Sequence, residues 1–217
     1  QTVNEKVLKK ERPDTVILAT GARPLTIPIK GVDKPNVVQA WDVLLNKTMT
    51  GKRVVIVGGG AVGVETALFL AEKGTLSGDA LKFLFLNQVE SDADLRKIAV
   101  KGSKEVTVIE MLEKIGKDIG RSTRWVMMSD LERYGVTTRT TTKALEITDK
   151  GVKVECDGKT EEILADTVIL ASGSVPENSL KATLEKLGIP FQIAGDAGRI
   201  GLAYNAVHEG FEVGRSI

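Results

Sequence analysis

Three glycines carry the clearest chemistry in the sequence. In Val54-Val-Ile-Val-Gly-Gly-Gly-Ala-Val-Gly-Val-Glu65, Gly58, Gly60 and Gly63 have the spacing G-x-G-x-x-G. Their flanks give the pattern its meaning. Arg53 to Val57 reads as a strand, apolar and β-branched from Val54 on, and Val64, Ala67, Leu68 and Ala71 recur at helical spacing, so the glycines join a strand to a helix. In that setting the first glycine permits a tight turn, the second lets a pyrophosphate approach the backbone, and the third lets the helix pack closely on the strand. The amides of Ala61 and Val62 at the helix start would face the anion, backed by the positive end of the helix dipole.

Three carboxylates complete the candidate chemistry. Glu110, followed by Met111, ends the strand Val106 to Ile109, where an acid accepts hydrogen bonds from the adenosine ribose. It would also repel the extra phosphate of NADPH, and no arginine stands in the next few positions, so NADH is the expected cofactor. Glu65, two residues after the third glycine, is placed on the first helical turn. There it either reaches the nicotinamide ribose or carboxamide, or complements the helix dipole. Asp196 in Ile193-Ala-Gly-Asp-Ala-Gly198 follows a short strand and precedes the apolar helix Leu202 to Val213; it suits either a sugar-alcohol hydroxyl or a helix cap. No catalytic acid, base or metal ligand is assigned. The single histidine, His208, reads as a helix-surface residue beside Tyr204, and Arg124 and Trp125 read as packing residues.

These residues need elements to hold them. Weak helical spacing over Val3 to Lys10 ends at Pro13 and leads into a strand, Thr15 to Ala19, expected to be parallel and covered on both faces. A turn at Thr20 to Pro24 and an irregular connection precede a short helix at Trp41 to Leu45. After the glycine turn the helix stops at Gly74, and a helix from about Ser122 stops at Gly135. The period then falls to two over Ala144 to Thr148, Val152 to Cys156 and Glu161 to Leu164, with hairpin signals at Asp149-Lys-Gly151 and Asp157-Gly158. A buried strand, Thr167 to Ala171, closes the unit. The fold class is therefore α/β, a Rossmann-like doubly wound sheet with a three-stranded antiparallel meander.

Glu110 lies 47 residues beyond Gly63 (110 − 63), against roughly 20 in the standard arrangement. The excess is the excursion 74–104, read as two short helices forming a packed flap that either covers the nucleotide or contacts a partner. A second long-range feature is a repeat: Asp14-Thr-Val-Ile-Leu-Ala-Thr-Gly-Ala-Arg-Pro24 returns as Asp166-Thr-Val-Ile-Leu-Ala-Ser-Gly-Ser-Val-Pro176. Two strand-to-turn elements of one design imply two related nucleotide-binding units.

Composition excludes several classes. Lys and Arg number 30 against 29 Asp and Glu, so no global field would collect nucleic acid or an anionic membrane. Cys156 alone cannot form an intrachain disulfide, a redox dithiol or an iron–sulfur cluster. A cytoplasmic address is the default.

Together GGGAVGVE, VTVIEM, the paired ATGARP and ASGSVP turns, and IAGDA resemble the two-dinucleotide-binding flavoproteins related to glutathione reductase. More narrowly, the chain is similar to the C-terminal third of the NADH:flavin oxidoreductases of the 2,4-dienoyl-CoA reductase and 2-enoate reductase type. That resemblance implies that NADH reduces FAD, and that electrons pass through an iron–sulfur cluster to FMN in an N-terminal barrel of the same polypeptide that reduces an activated alkene. It implies that Gly58, Gly60, Gly63, Glu65, Glu110, Met111 and Gly173 serve NADH, and that Thr20, Gly21, Gly195 and Asp196 serve FAD. Residues 48–175 would be the NADH domain, with 1–47 and 176–217 as incomplete FAD-domain flanks whose exposed apolar surface or open strand edges invite self-association. Two alternatives stand beside this one: a ferredoxin- or amidotransferase-linked electron-transfer subunit, and a non-catalytic NAD-binding or docking module.

Overall fold

The computed structural model describes residues 2–217. In chain order the elements are α1 (Glu5–Glu11), β1 (Val16–Leu18), β2 (Ala22–Pro24), β3 (Val37–Gln39), α2 (Ala40–Leu44), β4 (Arg53–Val57), α3 (Ala61–Ala71), α4 (Gly78–Leu86), α5 (Asp92–Val100) and β5 (Glu105–Ile109). There follow α6 (Arg121–Arg133), β6 (Thr137–Arg139), β7 (Thr142–Ile147), β8 (Gly151–Cys156), β9 (Lys159–Leu164), β10 (Thr167–Leu170), β11 (Ser174–Pro176), α7 (Lys181–Leu187), β12 (Phe191–Ile193), a 3-10 turn (Gly195–Ala197) and α8 (Ala203–Arg215). They form two compact units, residues 26–173 and residues 1–25 with 174–217.

The larger unit is built on a five-stranded parallel sheet of order β3-β10-β4-β5-β6. Alternation along β4 explains its layers. Val54 and Ile56 point into a cluster with Val64, Ala67 and Leu70 of α3, Val43 of α2 and Leu131 of α6. Val55 and Val57 point the other way, onto Ile147, Val152 and Val154 of the meander β7-β8-β9. A strand covered on both faces needs apolar residues at every position, which is why β4 and β10 read as unbroken apolar runs. The architecture is thus helices, parallel sheet and antiparallel meander, the Rossmann-like α/β class expected from the sequence.

One ion pair ties the start of this sheet together. Asp166, just before β10, accepts from the Arg53 backbone amide at 2.8 Å and from its guanidinium at 2.5 and 3.1 Å. The guanidinium, followed by the backbone amide, holds the Asp166 carboxyl down at about 2.

The smaller unit gathers Leu8, Leu18 and Leu184 into its own core. Here β1 pairs in parallel with β12, its one strand partner among the described residues, and Ile17 is 46% exposed, so the expectation of a strand covered on both faces is corrected. The turn at 20–24 contains β2, which runs antiparallel to β11: Ala22 faces Pro176 and Pro24 faces Ser174. The tails of the two sequence repeats therefore zip onto one another. Helix α8 buries none of its residues and exposes Tyr204, Val207 and Phe211.

One further expectation changes. The irregular stretch before α2 includes β3, whose strand character comes from pairing with β10. The excursion does contain two helices: α5 buries Leu95, whereas α4 has no buried residue and exposes Phe83, Phe85 and Leu86. Among the described residues no helix is long and apolar enough to cross a membrane.

Candidate functional site

The glycine turn lies at the C-terminal end of β4, where open α/β sheets bind their ligands. Gly58 has φ +111°, and a Cβ there would stand 2.4 Å from the Ala171 carbonyl oxygen on the neighbouring strand end. At Gly63 a Cβ would stand 2.0 Å from the Gly58 carbonyl oxygen, so the third glycine is what lets α3 lie against the turn. Gly60 is the N-cap of α3 with extended backbone, and a Cβ there would stand 3.1 Å from Asp118 Oδ2. The tight turn at Gly58 and the close helix contact at Gly63 are the conformations the spacing predicts.

The carboxylate of Glu110 sits beside that turn. Its Oε2 accepts from the Gly59 amide at 2.7 Å and its Oε1 from the Leu112 amide at 2.9 Å, which fixes the side chain at the end of β5. Met111, next in the chain, is exposed. Arg139 ends the adjacent strand β6 opposite Ile109, where a cation for a 2′-phosphate could stand. Its guanidinium instead donates to Glu161 on β9.

Sequence reasoning missed Asp118. Both oxygens of this exposed side chain accept from the Ala61 amide, at 2.9 and 3.1 Å, 57 residues away. Ala61 N–H is one of the two donors expected to face an anion; the other, Val62 N–H, meets no acceptor among the described residues. The loop bearing Asp118 is well anchored. Gly116 N–H donates to the Gly59 carbonyl at 2.6 Å, and Ile115 is buried in the helix-side core. Arg124 on α6 donates to the carbonyls of Ile115 and Gly116 at 2.6 to 3.1 Å. Arg124 is thus a loop anchor, while Trp125 beside it is 69% exposed and packs little.

Glu65 needs correction. Helix α3 begins at Ala61, so Glu65 falls on the second turn, where the dipole effect has faded, and its side chain is exposed. Gly173, after β10, has φ +100° and its repeat counterpart Gly21 has φ +76°; a Cβ at either would meet no atom within 4 Å. Backbone conformation rather than crowding requires glycine at both. In the smaller unit the Thr20 hydroxyl donates to the Glu177 carbonyl. Gly195 (φ +65°) donates to Glu209 at 2.7 Å. Asp196 accepts from Gly201 N–H at 3.0 Å inside its own loop, and Leu202, not Asp196, precedes α8 as the cap.

A parallel sheet, a glycine turn at a strand end, an acid on the next strand and a covering meander define a dinucleotide-binding domain. The chain belongs to the pyridine nucleotide-disulphide oxidoreductase family, whose pattern matches residues 2–202. It is 45% identical to a metal reductase of Desulforamulus reducens over 90% of this chain and 29% of that protein. It is 38% identical to an NADH oxidase of Thermoanaerobacter brockii over 98% of this chain and 29% of that one. Among solved structures it resembles a 2-naphthoyl-CoA reductase, with TM-score 0.80 and 26% identity over the whole of this chain and 29% of the other. The chain spans less than a third of the length of these relatives. It is an FAD/NAD(P)-binding domain of that family, and the relatives named above are oxidoreductases. The residues present fit a dinucleotide: glycines stand where a Cβ would collide with the turn, and a carboxylate borders it.

Proposed function

We propose that this chain is the NADH-binding region of an FAD-dependent oxidoreductase that, in its intact form, reduces an enoate or enoyl-CoA-type alkene. The observation that carries the cofactor choice is the Glu110 carboxylate beside the Gly59 amide, with the nearest strand-end arginine engaged by Glu161. Glu110 accepts from the ribose hydroxyls and rejects a 2′-phosphate by charge. The amides of Ala61 and Val62 bind the pyrophosphate, and Gly60 leaves room for it. Glu65 and Gly173 border the nicotinamide half, and Thr20, Gly21, Gly195 and Asp196 border FAD. Bound together, the two cofactors supply hydride transfer from the nicotinamide to the flavin; the protein's share is positioning. FMN and an iron–sulfur cluster belong to an N-terminal barrel of the parent polypeptide.

The 2-naphthoyl-CoA reductase likeness supports a conjugated acyl-CoA or acid as final acceptor. The metal reductase relative favours a second reading, in which the electrons end on a metal ion supplied as substrate. NADH consumption by the full-length parent polypeptide, measured with enoyl-CoA, free enoate and a ferric salt in turn, separates the two. Turnover with the ferric salt and none with either alkene would overturn the first.

A further inference from the structure

The dinucleotide site carries its own anionic occupant. The Ala61 amide, at the start of the eleven-residue helix α3, is the donor that a pyrophosphate needs, and both oxygens of Asp118 already take it. A Cβ on Gly60 would stand 3.1 Å from Asp118 Oδ2, so the carboxylate also lies over the glycine whose missing side chain admits the ligand. Two anions cannot share one N–H, and a carboxylate nearby repels a diphosphate even when it has let go.

Resting on the proposed dinucleotide role of this turn, we propose that Asp118 is an intramolecular competitor for the cofactor's pyrophosphate and sets its affinity. The competitor is a side chain rather than a mobile lid. Its loop is held by Ile115 in the core, by Gly116 N–H on the Gly59 carbonyl and by Arg124 on two loop carbonyls. Displacement therefore falls to the exposed Asp118 side chain, which can rotate into solvent while the loop stays in place. In the ligand-free chain Asp118 caps α3; in the bound chain the pyrophosphate does.

The contribution of such a cap translates into a change in affinity on the order of 3- to 30-fold. The test is calorimetric titration of the full chain and of its Asp118→Ala and Asp118→Asn variants with NADH and, separately, with adenosine, alongside ligand-free thermal unfolding. Asp118→Ala is expected to bind NADH about 3- to 30-fold tighter, and Asp118→Asn to fall between it and the parent chain. Adenosine, which lacks the diphosphate, should bind all three alike. Without ligand, Asp118→Ala should unfold at lower temperature because its helix has lost a cap. Tighter binding by a less stable variant is not what general damage produces. If the parent chain binds NADH and Asp118→Ala binds it equally or more weakly, the competitor role is overturned while the nucleotide assignment stands. If no form binds NADH, both are overturned.

Discussion

Replacing Gly63 by alanine should cost both stability and cofactor binding. The new Cβ would stand 2.0 Å from the Gly58 carbonyl oxygen, and ordinary contact begins near 3.4 Å, so helix and turn must part by about 1.4 Å (3.4 − 2.0). The helix has nowhere to retreat. Val64, Ala67 and Leu70 of α3 are all fully buried against the sheet and its neighbouring helices. Overpacking of this kind costs about 1–3 kcal/mol. In a chain of this size each kcal/mol lowers the midpoint by roughly 2–4 °C, so a fall of about 2–12 °C is expected. The same shift tilts the Ala61 and Val62 amides away from the pyrophosphate. Circular dichroism melting and NADH titration measure the two effects, with Gly78→Ala as control, because no atom lies within 4 Å of a Cβ at Gly78 and that variant should melt like the parent. A Gly63→Ala protein with unchanged midpoint and unchanged NADH affinity would refute the packing argument.

Glu110→Ala should weaken NADH binding by about ten- to a hundredfold, the loss of hydrogen bonds to a charged acceptor, and should narrow the preference over NADPH; parallel titrations check both. Arg124→Ala leaves the Ile115 and Gly116 carbonyls without their guanidinium partner. Faster hydrogen exchange at the Gly116 amide is expected, and unchanged protection would contradict the anchor role. The Arg53–Asp166 pair predicts an acid limb. Because the folded Asp166 carboxyl is depressed from 3.8 to about 2, its stabilisation is complete above about 4 and is lost as pH falls toward 2. Urea midpoints between pH 6 and pH 2 should decline less steeply for Asp166→Asn than for the parent.

What could be seen in the sequence was local or strictly periodic. Strand β4, the glycine turn and α3 are contiguous, so their residues report directly on one another, and the meander announces itself through alternation and two hairpin turns. Strands β3 and β6 have three residues each and owe their state to partners distant in the chain, Val168 to Leu170 for β3 and Thr107 to Ile109 for β6. No window around Val37 or Thr137 contains that information. Glu65 is the fifth residue of α3 and so lies beyond its first turn, a distance that counting from Ala61 gives directly. Asp118 carried no local signal at all. Its role arises only when the loop after β5 folds back to the start of α3, and neither its neighbours nor its spacing announces that contact. The repeat was visible, but the pairing of its two tails as β2 and β11 was not.

The proposed preference for NADH over NADPH rests on the glycine turn and Glu110 acting together. Titrating the purified chain with each cofactor by calorimetry at one ionic strength tests it most directly. Saturable binding of NADH, with NADPH weaker by about tenfold or more, is the predicted result for a ribose-binding carboxylate facing an added phosphate. Equal affinity for the two, or binding of neither, would contradict it.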